Sequence, residues 1–267
     1  MFPQSEALER AALEDLHRAA PPELRHHLGI DSRRVGPAFI SLAAALPRSA
    51  IVINRCLGLG LSWPAEASEL LSILSAYRQA AVKRYFIQLH PDARPPGIRG
   101  WLESHDLVEA RGWQKFSRGP GAVAERPTEL EVREVGPEQG AAFGTVVCNA
   151  FDIGAAAIPW LAELPGRAGW HVFMSFHNDV AAGAGALFVH RGLAWLDYAA
   201  THPAYRRRGS QGAIQAARIR RALDLGCKRI YTCTGVDKPG DPQHSYGNIL
   251  KSGFEREEIR LNFSPAE

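Results

Sequence analysis

The sequence has no stretch approaching the roughly 18 to 20 consecutive apolar residues of a membrane-spanning helix, so no such span is expected. Its four cysteines, Cys56, Cys148, Cys227 and Cys233, are scattered with no C-x-x-C pair. That argues against a zinc knuckle or a disulfide framework and for reduced, mostly buried thiols. Blocks of like charge are missing too. With 31 basic and 28 acidic residues the formal charge is +3, and no run of five or more like charges names a nucleic-acid or membrane partner. His171, His177, His190 and His202 lack metal-ligand spacing, which fits solvated strand ends and leaves no metal expected. The beginning, Met1-Phe2-Pro3-Gln4-Ser5-Glu6, has no basic region followed by an apolar core, so the expectation is a soluble, cytoplasmic protein.

What is present is enough apolar residue, 46% of 267, for two cores. Leu8, Ala11, Ala12, Leu16 and Ala19 predict an amphipathic helix over 5–19 after a Ser5 cap. Val35 to Ala45 reads as a strand, followed by the apolar run Ile51-Val52-Ile53 and the glycine-punctuated Gly58-Leu59-Gly60. A helix from Pro64 to about Val82, a strand at 85–89, a short helix at 98–104 and a strand at 107–116 complete the first half. The stretch GPGAVAERPTE, 119–129, loses periodicity and reads as a linker. Domains are therefore expected at 1–120 and 128–267. The second half reads as a strand at 130–135, a helix at about 137–148, a short helix around 157–164, and strands at 170–176, 180–189 and 193–201. Its turns fall at His177-Asn178-Asp179 and Arg191-Gly192. Trp101–Ser117 and Asn248–Ser264 align without a gap as short helix, turn and strand, which leaves open a diverged duplication of one fold.

The chemistry lies in Leu193–Ile214, a strand running through a loop into a helix. Pro203 ends strand pairing, and the turn through Arg206 to Gly209 leads to a helix whose first amides lack internal acceptors. Those amides and the positive end of the helix form an anion site, with Arg206 to Arg208 adding charge and Gly209 and Gly212 letting the backbone approach a bulky phosphate. The helix has its apolar seam at Ala216, Ile219 and Leu223, and Gly226 is placed to end it.

These residues resemble the GNAT superfamily of N-acyltransferases, whose signature is Arg/Gln-x-x-Gly-x-Gly/Ala between the fourth strand and third helix. Arg206-Arg207-Arg208-Gly209-Ser210-Gln211 matches at the first and fourth positions, with Gln211 where Gly or Ala is usual and Gly212 one residue on. Asn248-Ile249-Leu250-Lys251-Ser252-Gly253-Phe254 resembles the second element, Asn-x-x-x-x-Gly-Phe. The order of elements from about 180 to 264 reproduces the family's second half. The resemblance implies a mixed α/β fold, a mostly antiparallel sheet flanked by helices, with a tandem of two GNAT-like domains open. It implies acetyl-CoA as cosubstrate and an amine acceptor as partner. A homodimer is left open.

The site residues follow from the same resemblance. Amides around Ala199 to Thr201 pair with the pantetheine arm, Arg206, Arg208, Gly209, Ser210, Gln211 and Gly212 cradle the diphosphate, and Asn248 reaches the cofactor. The amine attacks the thioester directly in a ternary complex, so no covalent nucleophile is needed and Cys227 and Cys233 read as core residues. The family's usual acid, a Tyr two positions after the Asn, is Leu250 here. Tyr246 and His244 stand as substitutes, beside a structural tyrosine and an exposed loop histidine. Period-two alternation puts Trp195, Asp197, Ala199 and Thr201 on one strand face, where Asp197 is either the base or the partner of an arginine. Phe151 and Trp160 are candidate acceptor-pocket walls or core. The first half has no Arg-x-x-Gly loop, so at most one cofactor site is expected. The function is then an N-acetyltransferase acting on a small-molecule or protein amine. A non-catalytic acyl-CoA sensor and an enzyme using a longer acyl donor are the alternatives.

Overall fold

Leu8, Ala12, Leu13 and Leu16 recur at three- and four-residue spacing, and in the computed structural model, which describes residues 2–241 and 243–266, they form the buried face of α1 (Gln4–Ala19). The helix starts at Pro3 with no side-chain cap, not at Ser5, whose hydroxyl turns to the Glu258 carboxylate at 3.5 Å. The chain continues through α2 (Pro22–Leu28), β1 (Ile30–Val35), β2 (Ala38–Ala43), β3 (Arg55–Leu57), α3 (Ala67–Gln79), β4 (Phe86–Leu89), α4 (Ile98–Glu103) and β5 (Leu107–Arg118). The strand expected from Val35 to Ala45 is the second arm of a hairpin, because Gly36 and Pro37 turn the chain between Val35 and Ala38. The run Ile51 to Ile53 is turn, and the strand falls on Arg55–Leu57.

The second half comprises β6 (Glu131–Val135), α5 (Gly140–Phe151), α6 (Ile158–Leu161), β7 (Trp170–His177), β8 (Val180–His190), β9 (Leu193–Thr201), α7 (Ser210–Asp224), β10 (Arg229–Gly235), α8 (His244–Lys251) and β11 (Glu255–Pro265). Asn178-Asp179 and Arg191-Gly192 turn the two long hairpins with positive φ at every position, the turn whose twist suits paired strands.

Residues 1–114 with 258–267 form one compact unit and residues 115–257 a second. The division falls inside β5 and inside β11, so each half gives the end of its last strand to the other unit, whereas composition placed the boundary in the stretch after β5. In the first unit the strand order is β1-β2-β3-β4-β11-β5 and in the second β5-β10-β9-β8-β7-β6. The pairs β1·β2, β2·β3, β4·β11, β6·β7, β7·β8 and β8·β9 are antiparallel. β3·β4 and β9·β10 are parallel, one such pair in each unit.

The first unit's apolar core gathers Ile40, Leu70, Ile73, Ile87, Leu102 and Phe263. A buried ionic cluster accompanies it. Arg260 donates to Glu6 at 2.8 Å and to both carboxylate oxygens of Glu9 at 2.7 and 3.1 Å, and Arg55 also donates to Glu9. Two cations and two anions that are taken out of water together leave no uncompensated charge. The second unit's core on the α7 side gathers Phe116, Leu187, Leu196, Ile219, Ile230 and Phe254. No described helix is long and apolar enough to cross a membrane.

His17 is buried with its Nε2 2.7 Å from the Ser41 hydroxyl. Burial first, and the nearby Arg25 second, push its pKa down to about 3. The unfolded chain takes up this proton near pH 6.5 while the native state refuses it, so the folded protein loses stability as pH falls from about 6.5 toward 3. That loss is about 2 kcal/mol between pH 6.5 and 5. Denaturant unfolding at the two pH values should show it in the parent and lack it in His17→Gln. Equal losses in both proteins would assign the acid sensitivity to other groups.

Candidate functional site

Gly209 caps α7 with φ +82°, and among the described residues the first turn has no side-chain cap, its first internal bond being Ala213 N–H to Gly209 O at 3.0 Å. The amides of Ser210, Gln211 and Gly212 are therefore left at the positive end of a 15-residue helix. Ser210 is buried and fixed to the sheet by its 2.7 Å contact with the Ser175 hydroxyl. Arg206, Arg207 and Arg208 are all exposed in the loop before it. Arg208 pairs with Glu129 at 3.2 Å, and among the described residues no ion pair engages Arg206 or Arg207. The result is a strongly basic helix entrance with free amide donors.

The loop hangs from the end of β9, and β9 parts from β10 early. Their parallel register covers only Arg229↔Leu193, Ile230↔Ala194 and Tyr231↔Trp195, although β9 runs on to Thr201 and β10 to Gly235. The Thr232 hydroxyl donates to Leu196 O at 3.0 Å, at the point of divergence. Beyond it the facing edge of β9 is open. His202 N–H donates to Ala182 O on β8 at 2.8 Å, so by the alternation of a strand the amide of Thr201 points to the open side. An extended polar chain could pair there as a further strand.

The β8·β9 register slips where Ala186 faces Asp197 and Ala184 faces Ala200, leaving Gly185 opposite Tyr198 and Ala199. Tyr198 has φ +51° in this bulge. The extra residue breaks the expected alternation. Ala200, not Ala199, returns to the face of Asp197, and Thr201 faces Gly183 on the α7 side, where a Cβ on Gly183 would lie 2.3 Å from Ser210 Oγ. Arg218 of α7 is wholly buried behind the bulge and donates to Ala186 O at 2.9 Å and Asp197 O at 3.0 Å. Its guanidinium occupies the space that a Cβ on Gly185 would need. Burial lowers its pKa to about 10, with Asp197 acting in the opposite sense, so it stays charged at neutral pH.

Both oxygens of the Asp197 carboxylate are held, Oδ2 by Trp195 Nε1–H at 3.0 Å and Oδ1 by the Tyr198 amide at 2.8 Å. Buried Lys115 sets its ammonium 4.5 Å from the Trp195 ring centre. On α8 the Asn248 side chain donates to Gln211 Oε1 at 2.7 Å, joining the two elements read from the sequence as cofactor contacts. Tyr246 packs edge-on against Phe116 and its hydroxyl oxygen accepts from Arg256 Nε at 2.7 Å. His244 is exposed at the first residue of α8. Trp160 is fully buried, so it is core and not a pocket wall, while Phe151 meets Tyr198 edge-on at 6.4 Å. Burial pushes the thiol pKa of Cys148 up to about 12 and raises those of Cys56 and Cys227, which keeps them protonated and unreactive.

The stretch between the halves is built into the site, which sequence reading missed. Arg118 donates to Ser252 O at 2.6 Å, Gly121 O at 2.8 Å and Ala122 O at 3.1 Å. Thr128 Oγ1 donates to Arg208 O at 2.7 Å, and Arg126 donates to Lys251 O. A Cβ on Gly209 would lie 2.5 Å from Pro127 O and 3.1 Å from Thr128 Cβ, so this glycine makes room for the segment that packs on it. A Cβ on Gly212 would meet the stem of Arg126 at an ordinary 3.5 Å. Only the loss of periodicity marked 119–129 in the sequence, and that signal says nothing of where the segment lies.

The first unit's counterpart is closed. Glu66 and Glu69 form a reciprocal capping box at the start of α3, each carboxylate accepting from the other residue's amide, and a Cβ on Gly60 would lie 2.5 Å from Arg94 O.

No protein-family model matches the sequence, and no curated protein matches it. Solved structures do. A GCN5-related N-acetyltransferase from Kribbella flavida is 18% identical with a TM-score of 0.67, over all of this chain and 97% of that one. A tandem GNAT protein from the clavulanic acid biosynthesis pathway is 13% identical with a TM-score of 0.57, over all of this chain and 98% of that one. A GCN5-related N-acetyltransferase from Sphaerobacter thermophilus is 11% identical with a TM-score of 0.57, over 85% of this chain and 76% of that one. The chain has the fold of the GCN5-related N-acetyltransferase superfamily, and along its whole length it resembles a tandem member.

Proposed function

We propose that the protein is an N-acetyltransferase that moves the acetyl group of acetyl-CoA to an amine of a small molecule or protein. The observation that carries this reading is the parting of β9 from β10 beside a basic, uncapped helix entrance, on a chain of this fold. The pantetheine arm lies along the open edge of β9 and pairs with the backbone around Ala199 and Thr201. The diphosphate meets the amides of Ser210, Gln211 and Gly212 and the charge of Arg206 and Arg208, with Asn248 fixing Gln211 from α8.

The amine attacks the thioester carbonyl in a ternary complex, forming the amide C–N bond as the C–S bond breaks. Asp197 accepts the amine's proton directly or through water, its carboxylate held in place by Trp195 and the Tyr198 amide. The departing thiolate takes a proton from Tyr246. Because Arg256 donates to the phenol oxygen, the phenol's own hydrogen is left to give. His244 is the exposed alternative donor. Leu250, standing where a tyrosine is usual, favours a second reading in which the protein binds acyl-CoA without turning it over. Thiol release from acetyl-CoA across a panel of amines separates the two, and the same assay with larger thioesters tests a longer acyl donor.

Acetyl-CoA at a hundred times its dissociation constant should add about 2.7 kcal/mol of stability and raise the melting temperature. An unchanged melting curve together with no heat of binding would remove the cofactor from this reading. Asp197→Asn should retain acetyl-CoA affinity and lower turnover tenfold or more, a loss of about 1.4 kcal/mol of transition-state stabilisation. Tyr246→Phe should slow thiol release at unchanged affinity. Parent-like rates at every pH would return either residue to a structural role.

Gly209 at the cap and Gly212 in the first turn of α7 should respond differently. Gly209→Ala sets a Cβ against Pro127 O at a left-handed position, so the ligand-free protein should melt several degrees lower, as about 1 kcal/mol or more would produce. Gly212→Ala should melt as the parent does or higher, since its Cβ finds ordinary contact inside a helix. Equal melting temperatures for both variants would contradict the packing of 126–128 on this loop.

A further inference from the structure

We propose that Arg126, from the segment joining the two halves, is an additional phosphate ligand for coenzyme A; this rests on the cofactor reading above and extends it to a residue some 80 positions before the motif. The Cβ, Cγ and Cδ of Arg126 lie along the first turn of α7, 3.5 to 3.6 Å from where a Cβ on Gly212 would be. The guanidinium reaches across to donate to Lys251 O in the last residue of α8. It thus spans the same two helices that Gln211 and Asn248 bridge from within.

The position is set from both sides. Thr128 Oγ1 is fixed to Arg208 O and Pro127 O packs on Gly209, so the backbone immediately after Arg126 is tied to the basic loop itself. Lys251 O takes one of the five guanidinium N–H donors, and among the described residues no carboxylate pairs with Arg126. A half-buried cation with donors to spare, held over the first turn of a helix that has no side-chain cap, has a phosphate as its natural partner. The stem lies over Gly212 at ordinary van der Waals distance, so it follows the surface of the first helical turn.

The test is isothermal titration of the full chain and its Arg126→Ala and Arg126→Met variants with CoA, 3′-dephospho-CoA and pantetheine, beside ligand-free melting curves. Methionine keeps the apolar stem and removes the charge. Both variants should bind CoA about tenfold or more weakly than the parent, with a shallower dependence on salt, while pantetheine binding and melting temperature stay unchanged. A loss confined to CoA places the contact on the 3′-phosphate, and an equal loss for dephospho-CoA places it on the diphosphate; either supports the assignment. Arg126→Met binding CoA as the parent does overturns it, leaving only the packing of the stem. Tighter binding by Arg126→Ala also overturns it, because the segment would then compete with the cofactor. If the parent itself fails to bind CoA, the cofactor reading falls, and Arg126 with it.

Discussion

A strand that leaves its neighbour inside a protein exposes backbone carbonyls to a medium that cannot hydrate them, and the second unit is organised around satisfying them. Arg218 donates to Ala186 O and Asp197 O at the bulge, and Thr232 donates to Leu196 O where β10 diverges. Unsatisfied, such groups cost of order 1 to 3 kcal/mol each. With them satisfied, β9 can stay open along its outer edge. Small residues follow from the same constraint: Gly185 gives the guanidinium its space, and Gly183 gives Ser210 and Ser175 theirs.

Opening the strand also places the polar groups that chemistry needs. The bulge turns the Tyr198 amide onto the Asp197 carboxylate, and Trp195, steadied by Lys115 over its ring, holds the other oxygen. Below the opening, α7 begins with no side-chain cap among the described residues and with three arginines in front of it. Each feature alone is common in proteins; their sequence along one strand, loop and helix is what the proposed cofactor site rests on.

The first unit shows what happens when the same elements are closed. Between the strands of its parallel pair β3·β4 come a loop packed against Arg94 O and a helix capped with two glutamates. Carboxylates at a helix entrance satisfy the amides and repel an incoming diphosphate. On α1, Glu6 and Glu9 answer Arg260 and Arg55 inside the unit, so its buried charge is used in packing. The proposed chemistry falls in the second unit, while the first unit's charge is used for packing and capping.

Much of this was set by local sequence. The alternation in 170–201, the turns at Asn178-Asp179 and Arg191-Gly192, the apolar seam of α7 and the Arg206–Gly212 loop are short-range patterns, and the fold follows them because period and turn chemistry act over a few residues. The Arg206–Gly212 loop and the Asn248 helix are short-range patterns of the same kind, and the Asn248–Gln211 bond joins them. Only the tertiary structure decided the rest. One extra residue at Tyr198–Ala199 moved Thr201 off the face of Asp197, an effect that exists only once β8 supplies a register. The crossing of β5 and β11 between units, the arginine behind the bulge, and the return of 126–128 over Gly209 and Gly212 join residues 80 or more apart or depend on which neighbours close over a carbonyl. No local period encodes such partners, because a backbone group's need for a hydrogen bond is the same everywhere along the chain and only packing settles what meets it.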